Sequence, residues 1–287
     1  MKEYLSLIRF AHTVFALPFA LVGYFLGIHA THQGIQWGLF GLVVLCMVFA
    51  RSAAMAFNRY ADMHLDEQNV RTNRREIPTG VISPRAALLF VVACALLFVA
   101  TTYFINTLCF YLSPVALAVI LGYSYTKRFT ALSHFVLGLG LALAPVGAYL
   151  AVTAEFDLIP CLLGAVVLFW VGGFDIIYAM QDVDFDKEKR LYSVPVWLGP
   201  MGALRLSTFS HLLCALLLIA VVIILTKENP RLGWLLYLGA IAFLALLWYQ
   251  HRLVKPHDLS RVNLAFFTTN GIASIIFGTA CILDFYM

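Results

Sequence analysis

Asn58, Asp62 and Asp66 recur at four-residue intervals directly after a long apolar stretch. Tyr178, Asp182 and Asp186 repeat that spacing after another, and Asp175 lies seven residues before Asp182. Steps of four place side chains on one face of a helix. Arg51, seven residues before Asn58, points the same way from inside its apolar stretch. Several acids held close together repel, and a low dielectric disfavours their ionisation. A divalent cation offsets both effects. Carboxylate and amide oxygens are hard ligands that suit Mg²⁺, which keeps some waters and completes its shell with phosphate oxygens. Two such clusters predict two metal sites on one diphosphate.

Basic residues trail both sets. Arg71, Arg74 and Arg75 follow the first, and Lys187, Lys189 and Arg190 the second. They are suited to the remaining phosphate charge. Each set closes on Pro and Gly, at Pro78 and Gly80 and at Pro195 and Gly199. The pattern is a loose internal repeat, and repeat-built membrane proteins often work where the halves meet. A solvated helix cap accounts for one isolated acid, but poorly for two matched triplets each followed by a basic run. His12, His134 and His211 are expected to be polar packing or interface groups rather than ligands. His64 lies off the acidic face.

The elements that must carry these residues are membrane helices. The chain of 287 residues is 62% hydrophobic and 12% charged, with a mean hydropathy of +0.89, whereas soluble domains carry about 25% charged residues. Residues 10–50 and 86–126 lack Asp, Glu, Lys and Arg, and each run is long enough for two spans of about 20 residues. Turns are expected near 29–36 and 106–107. The runs 129–154, 158–174, 206–226, 232–251 and 262–283 each fit one span. The expectation is an all-α, single-domain protein over 1–287 with nine transmembrane helices. Alternating strands of a barrel are missing from the pattern.

With the N-terminus in the cytoplasm, every Lys and Arg except Lys227 and Arg231 falls on the cytoplasmic side. The net charge of +4 is then a matter of topology and calls for no nucleic acid. The start, MKEYLSLIRF, carries an acid and no small-residue cleavage site, so the first apolar run is expected to be retained. Six scattered cysteines without metal-ligand spacing are expected to be small buried hydrophobes. Two long cytoplasmic loops, about 60–84 and 179–204, should concentrate function. Transporters place their charges near the bilayer midplane, while these acids lie at helix ends, which favours an enzyme.

With these residues in view, the sequence resembles the UbiA superfamily of intramembrane prenyltransferases. That family's N-x-x-x-D-x-x-x-D motif is matched by Asn58, Asp62 and Asp66. Its D-x₆-D-x₃-D motif is matched by Asp175, Asp182 and Asp186, and its Y-x-x-x-K element by Tyr123 and Lys127. Arg71-Thr72 and Pro78-Thr79-Gly80 match further family segments. Many relatives have Asp where this chain has Arg59, and Arg74 is also a departure. The likeness covers nearly the whole chain.

The resemblance implies a polyprenyl diphosphate whose tail lies in a lipid-facing tunnel, two Mg²⁺ ions, and an aromatic acceptor that attacks the allylic cation. It implies that Asp62 and Asp66, with Asn58 nearby, hold one Mg²⁺, and that Asp182 and Asp186 hold the other with Asp175 in support. Lys127, Arg71 and Arg75 would bind diphosphate. Arg51 would meet diphosphate or the acceptor's carboxylate. Tyr123 would steady the cation or the diphosphate, and Tyr178 and Gln181 would line the site. The stretches 12–20, 55–59, 75–80, 172–186 and 263–271 resemble the 4-hydroxybenzoate polyprenyltransferase-like branch, part of which serves the futalosine route to menaquinone. The implied acceptor is 1,4-dihydroxy-6-naphthoate, with 4-hydroxybenzoate for ubiquinone as runner-up. The implied location is the inner membrane, with the site facing the cytoplasm. Asn263 and Asn270 fit acceptor lining and helix pairing equally.

Overall fold

The computed structural model describes residues 2–8, 15–229 and 232–287. Arg9, His12 and Arg231 lie outside the described residues. In chain order the helices are α1 (Lys2–Leu7), α2 (Leu17–Ala30), α3 (Trp37–Ala61), α4 (Met63–Gln68), α5 (Pro84–Tyr103) and α6 (Thr107–Thr126). There follow α7 (Ser133–Thr153), α8 (Leu158–Ala179), α9 (Val183–Glu188), α10 (Val194–Glu228), α11 (Trp234–Leu253) and α12 (Asn270–Asp284). A 3₁₀ turn, Met180–Asp182, joins α8 to α9, and a π-helical stretch, Leu264–Thr269, leads into α12. Among the described residues there is no strand, only an isolated bridge between Lys255 and Asp258.

Eight of these helical segments are long and apolar enough to cross a membrane: α3, α5, α6, α7, α8 with its continuation to Glu188, α10, α11 and Leu264–Asp284. The ninth expected span coincides with α2. It has 14 described residues, about 21 Å of helix, short of the roughly 30 Å hydrocarbon core. The expected turns fall between α2 and α3 and between α5 and α6. The second expected loop is mostly helix. α10 starts at Val194, with Pro in its first turn, and kinks at Gly199 (φ 70°), just before Pro200. A positive φ suits glycine, so a short apolar piece, Val194–Leu198, precedes the span.

The chain forms two compact units. The first comprises residues 1–13 and 36–125. Here α3 packs along α5 and touches α1. Leu7, Ala56, Ile77, Ile82, Ala87 and Val91 fill its core. Ser83 caps α5 by accepting the Ala86 N–H at 3.2 Å, with Pro84 following at the start of the helix. The cap satisfies one of the helix's orphan amides.

The second unit comprises residues 14–35 and 126–287. It packs α7 and α10 on α8, α2 on α7, and α11 on α12. At Gly23 of α2 an added Cβ would lie 2.1 Å from the Pro145 carbonyl oxygen of α7. Lipid supplies no hydrophobic drive between helices, so small residues that let backbones approach favour packing. The core is aromatic: Trp170 lies 5.3 Å from Phe19, 5.2 Å from Phe174 and 5.4 Å from Phe243, centroid to centroid.

A buried polar network runs through this core. Trp170 Nε1–H donates to Asn270 Oδ1 at 2.8 Å, and Asn270 Nδ2 donates to Gln250 Oε1 at 3.3 Å. His211 Nε2 lies 3.1 Å from the Trp170 carbonyl, which can only accept. The proton therefore sits on Nε2, and Nδ1 accepts from His251 Nε2 at 2.6 Å. Asn270 thus joins helices, as does His211. At the other end of the unit, Asp284 accepts the Gly233 and Leu236 N–H groups that open α11. All six cysteines are free; four are buried, Cys46 is half-buried, and Cys161, against expectation, is exposed.

Candidate functional site

In the first unit, α3 carries Arg51, Asn58 and Arg59 towards Asp62. Asp62 ends α3 outside helical geometry (φ −99°, ψ 8°), yet its N–H still reaches the Asn58 carbonyl. The chain re-enters helix at α4, so the acidic stripe crosses a break and keeps its hydrogen-bond ladder: the Asp66 N–H reaches the Asp62 carbonyl at 2.8 Å. Asp62 is 4% exposed and Asp66 6%. Asn58 Nδ2 donates to Asp62 Oδ2 at 3.3 Å.

Arg75 pairs with Asp66 in this unit. Its Nη1 donates to both oxygens of Asp66 at 2.8 Å. The loop between α4 and α5 folds back to allow this: Asn69 Oδ1 accepts the Arg71 N–H at 2.9 Å, and Thr72 Oγ1 donates to the Asp66 carbonyl at 3.3 Å. Arg71 itself is exposed. Arg51 is half-buried near Tyr123 of α6, and its buried Nε has no hydrogen-bond partner among the described residues. Arg59, the departure from the family pattern, is also buried. His64 is 76% exposed in its side chain and meets Glu67 at 3.8 Å, a surface pair worth little.

In the second unit, Asp175 sits in the last turns of α8, Asp182 closes the 3₁₀ turn, and Asp186 lies in α9. The three acids do not share one continuous α-helix, because α8 ends at Ala179. Asp186 is 7% exposed. Lys127, Asp182 and His134 are ionisable side chains near enough to act on its charge. Asp175 Oδ2 is 2.7 Å from His134 Nδ1. The sequence alone points to a polar packing or interface role for His134, whose place in the charge-free run 129–154 is the signal of a buried polar partner. Tyr178 stacks on Phe266 with centroids 4.1 Å apart, so its ring packs on the π-helical stretch. Gln181 donates to the Tyr178 carbonyl at 3.1 Å. Among the described residues, no three His, Cys, Asp or Glu side chains converge into a ready metal cage.

Apolar helices long enough to span a membrane, two of them ending in buried acids beside basic groups, define a multi-pass membrane protein. The model of the UbiA prenyltransferase family matches residues 16–272. The chain belongs to that family, in its 4-hydroxybenzoate polyprenyltransferase-like branch, and is an enzyme of the aromatic polyprenyltransferase class. A 4-hydroxybenzoate octaprenyltransferase of Aliivibrio fischeri (strain MJ11) is 31% identical over 250 residues, covering 84% of this chain and 82% of the relative. One of Nitrosospira multiformis is 31% identical over 245 residues, covering 85% and 82%. The apo structure of a UbiA homolog from Aeropyrum pernix K1 matches with a TM-score of 0.83 and 33% identity, over 95% of this chain and 98% of that one. A UbiA homolog from Archaeoglobus fulgidus, bound to GPP and Mg²⁺, shares the fold with a TM-score of 0.75 at 21% identity, over 99% of this chain and 100% of that one.

Proposed function

We propose that the chain transfers a polyprenyl group from polyprenyl diphosphate to the ring of an aromatic acid, with Mg²⁺, in respiratory quinone synthesis. The observation that carries this reading is the burial of Asp62, Asp66 and Asp186 within two motifs of matched spacing. Buried carboxylates need compensation. Arg75 compensates Asp66 here, and an oxygen donor set of this kind suits Mg²⁺. Asp62 and Asp66, with Asn58, would hold one ion. Asp182 and Asp186 would hold another, with Asp175 in support. When bound, the metal neutralises charge on the departing diphosphate.

The chain's own groups do the rest. Lys127, Arg71 and Arg75 bind diphosphate oxygens. The allylic C–O bond breaks and its electron pair leaves with the diphosphate. A ring carbon of the acceptor then bonds to the allylic carbon, and the ring loses its proton. Apolar helix faces keep water from the cation, and Tyr123 steadies the cation or the diphosphate. Arg51, a half-buried guanidinium whose Nε is unpartnered among the described residues, takes diphosphate or the acceptor's carboxylate.

Two acceptors fit. The names of the relatives favour 4-hydroxybenzoate. The stretches 12–20, 55–59, 75–80, 172–186 and 263–271 resemble one branch that also includes futalosine-route enzymes, whose acceptor is 1,4-dihydroxy-6-naphthoate. The proposed setting is the inner membrane, with nine spans counting α2, the N-terminus in the cytoplasm, the site facing the cytoplasm, and lipid around the tail. The test is purified protein in lipid with a prenyl diphosphate, Mg²⁺ and each acceptor separately, read by mass spectrometry. Prenylated product from one acceptor assigns the pathway. Intact diphosphate with both overturns the proposal.

A further inference from the structure

We infer that His134 is a positioning residue for the second acidic motif. The inference rests on the proposed function and concerns how this unit presents its carboxylates. His134 is 4% exposed, on the first turn of α7. Its Nδ1 lies 2.7 Å from Asp175 Oδ2, and its Nε2 lies 3.3 Å from the backbone N–H of Val194. The amide can only donate, so Nε2 offers its lone pair and Nδ1 carries the proton. The ring is thus neutral and donates to Asp175. It fixes one carboxylate oxygen without cancelling the charge.

The same ring docks the start of α10. Val194 opens that helix, and its amide would otherwise lack an intrahelical partner. The segment leaving α9 is pinned at two further points: the Leu191 N–H reaches the Asp186 carbonyl at 2.8 Å, and the Tyr192 N–H reaches the Lys127 carbonyl at 2.7 Å. One imidazole therefore ties Asp175 to the segment that follows Asp186. Groups that orient ligands from behind typically change metal affinity or activity by about 10–100-fold when removed.

A satisfied core histidine would show the same burial. The two ring nitrogens allow the roles to be separated. His134→Asn keeps a donor near the Nδ1 position and loses the Val194 contact. His134→Gln keeps an acceptor near the Nε2 position and loses the Asp175 contact. The experiment titrates Mg²⁺-dependent binding of a prenyl diphosphate to the lipid-reconstituted protein, with thermal unfolding as a check on folding. His134→Gln should need about tenfold or more Mg²⁺ for half-maximal binding, while His134→Asn stays near wild type. Equal behaviour of the two variants, or a defect confined to Asn, overturns the positioning role. Absence of Mg²⁺-dependent binding by the wild-type protein would instead overturn the functional reading, and this inference with it.

Discussion

Asp66 follows the span α3 and Asp175 lies in the last turns of the span α8, and each has a nitrogen of a basic side chain within 2.8 Å. The partners differ in kind. Asp66 is gripped by Arg75, a permanent cation nine residues further along the same loop. Asp175 is held by His134, which lies on another helix and is neutral in the tautomer its contacts require. A guanidinium cancels the charge it meets; a neutral ring orients a carboxylate and leaves the charge in place. The matched spacing therefore hides two modes of preparation. One motif holds a substitute cation. The other keeps its negative charge and controls its direction.

Several variants would break or sharpen this contrast. The largest effect should come from the acids themselves: Asp62→Asn and Asp182→Asn should each lower the prenyl-transfer rate by about 10²–10³-fold, measured as product formation at saturating Mg²⁺. Near wild-type turnover in either would remove that motif from the chemistry. Next, Arg75→Ala should cut turnover by about 10–100-fold through loss of diphosphate contacts. Without substrate, however, it should raise the affinity for Mn²⁺ used as a probe, because Arg75 competes for Asp66. His134→Gln should lower that affinity. If both variants moved it in the same direction, the contrast would fail.

Smaller effects concern stability. Asn270→Leu removes the Oδ1 that accepts from Trp170 Nε1 and breaks the link to Gln250. Interhelical hydrogen bonds in membranes contribute roughly 0.5–2 kcal/mol each, so a modest fall in the thermal midpoint in detergent is expected. His64→Ala removes only an exposed pair and should change stability by no more than about 1 kcal/mol in the same assay.

Much of the frame was legible in the sequence because charge is excluded from hydrocarbon. The charge-free runs located α5, α6, α7 and α11 to within a few residues. α10 begins well ahead of its run, since Val194–Leu198 forms a separate piece broken at Gly199; Pro195 and the Gly199-Pro200 pair were the signal. The acidic spacing could be read, but not the break at Asp62 or the 3₁₀ turn before Asp182, because a period of four survives both. The Arg75–Asp66 grip depends on how the loop after α4 folds. The His134–Asp175 bond spans 41 residues, and tertiary pairings of that kind have no spacing signature.

In the proposed function both motifs serve one diphosphate–metal reaction. Its most direct test is the binding of a prenyl diphosphate to wild type, Asp62→Asn and Asp182→Asn in lipid, with and without Mg²⁺. Mg²⁺ should strengthen binding to the wild type, and each substitution alone should remove that gain. A variant that kept the full gain would contradict the proposed function.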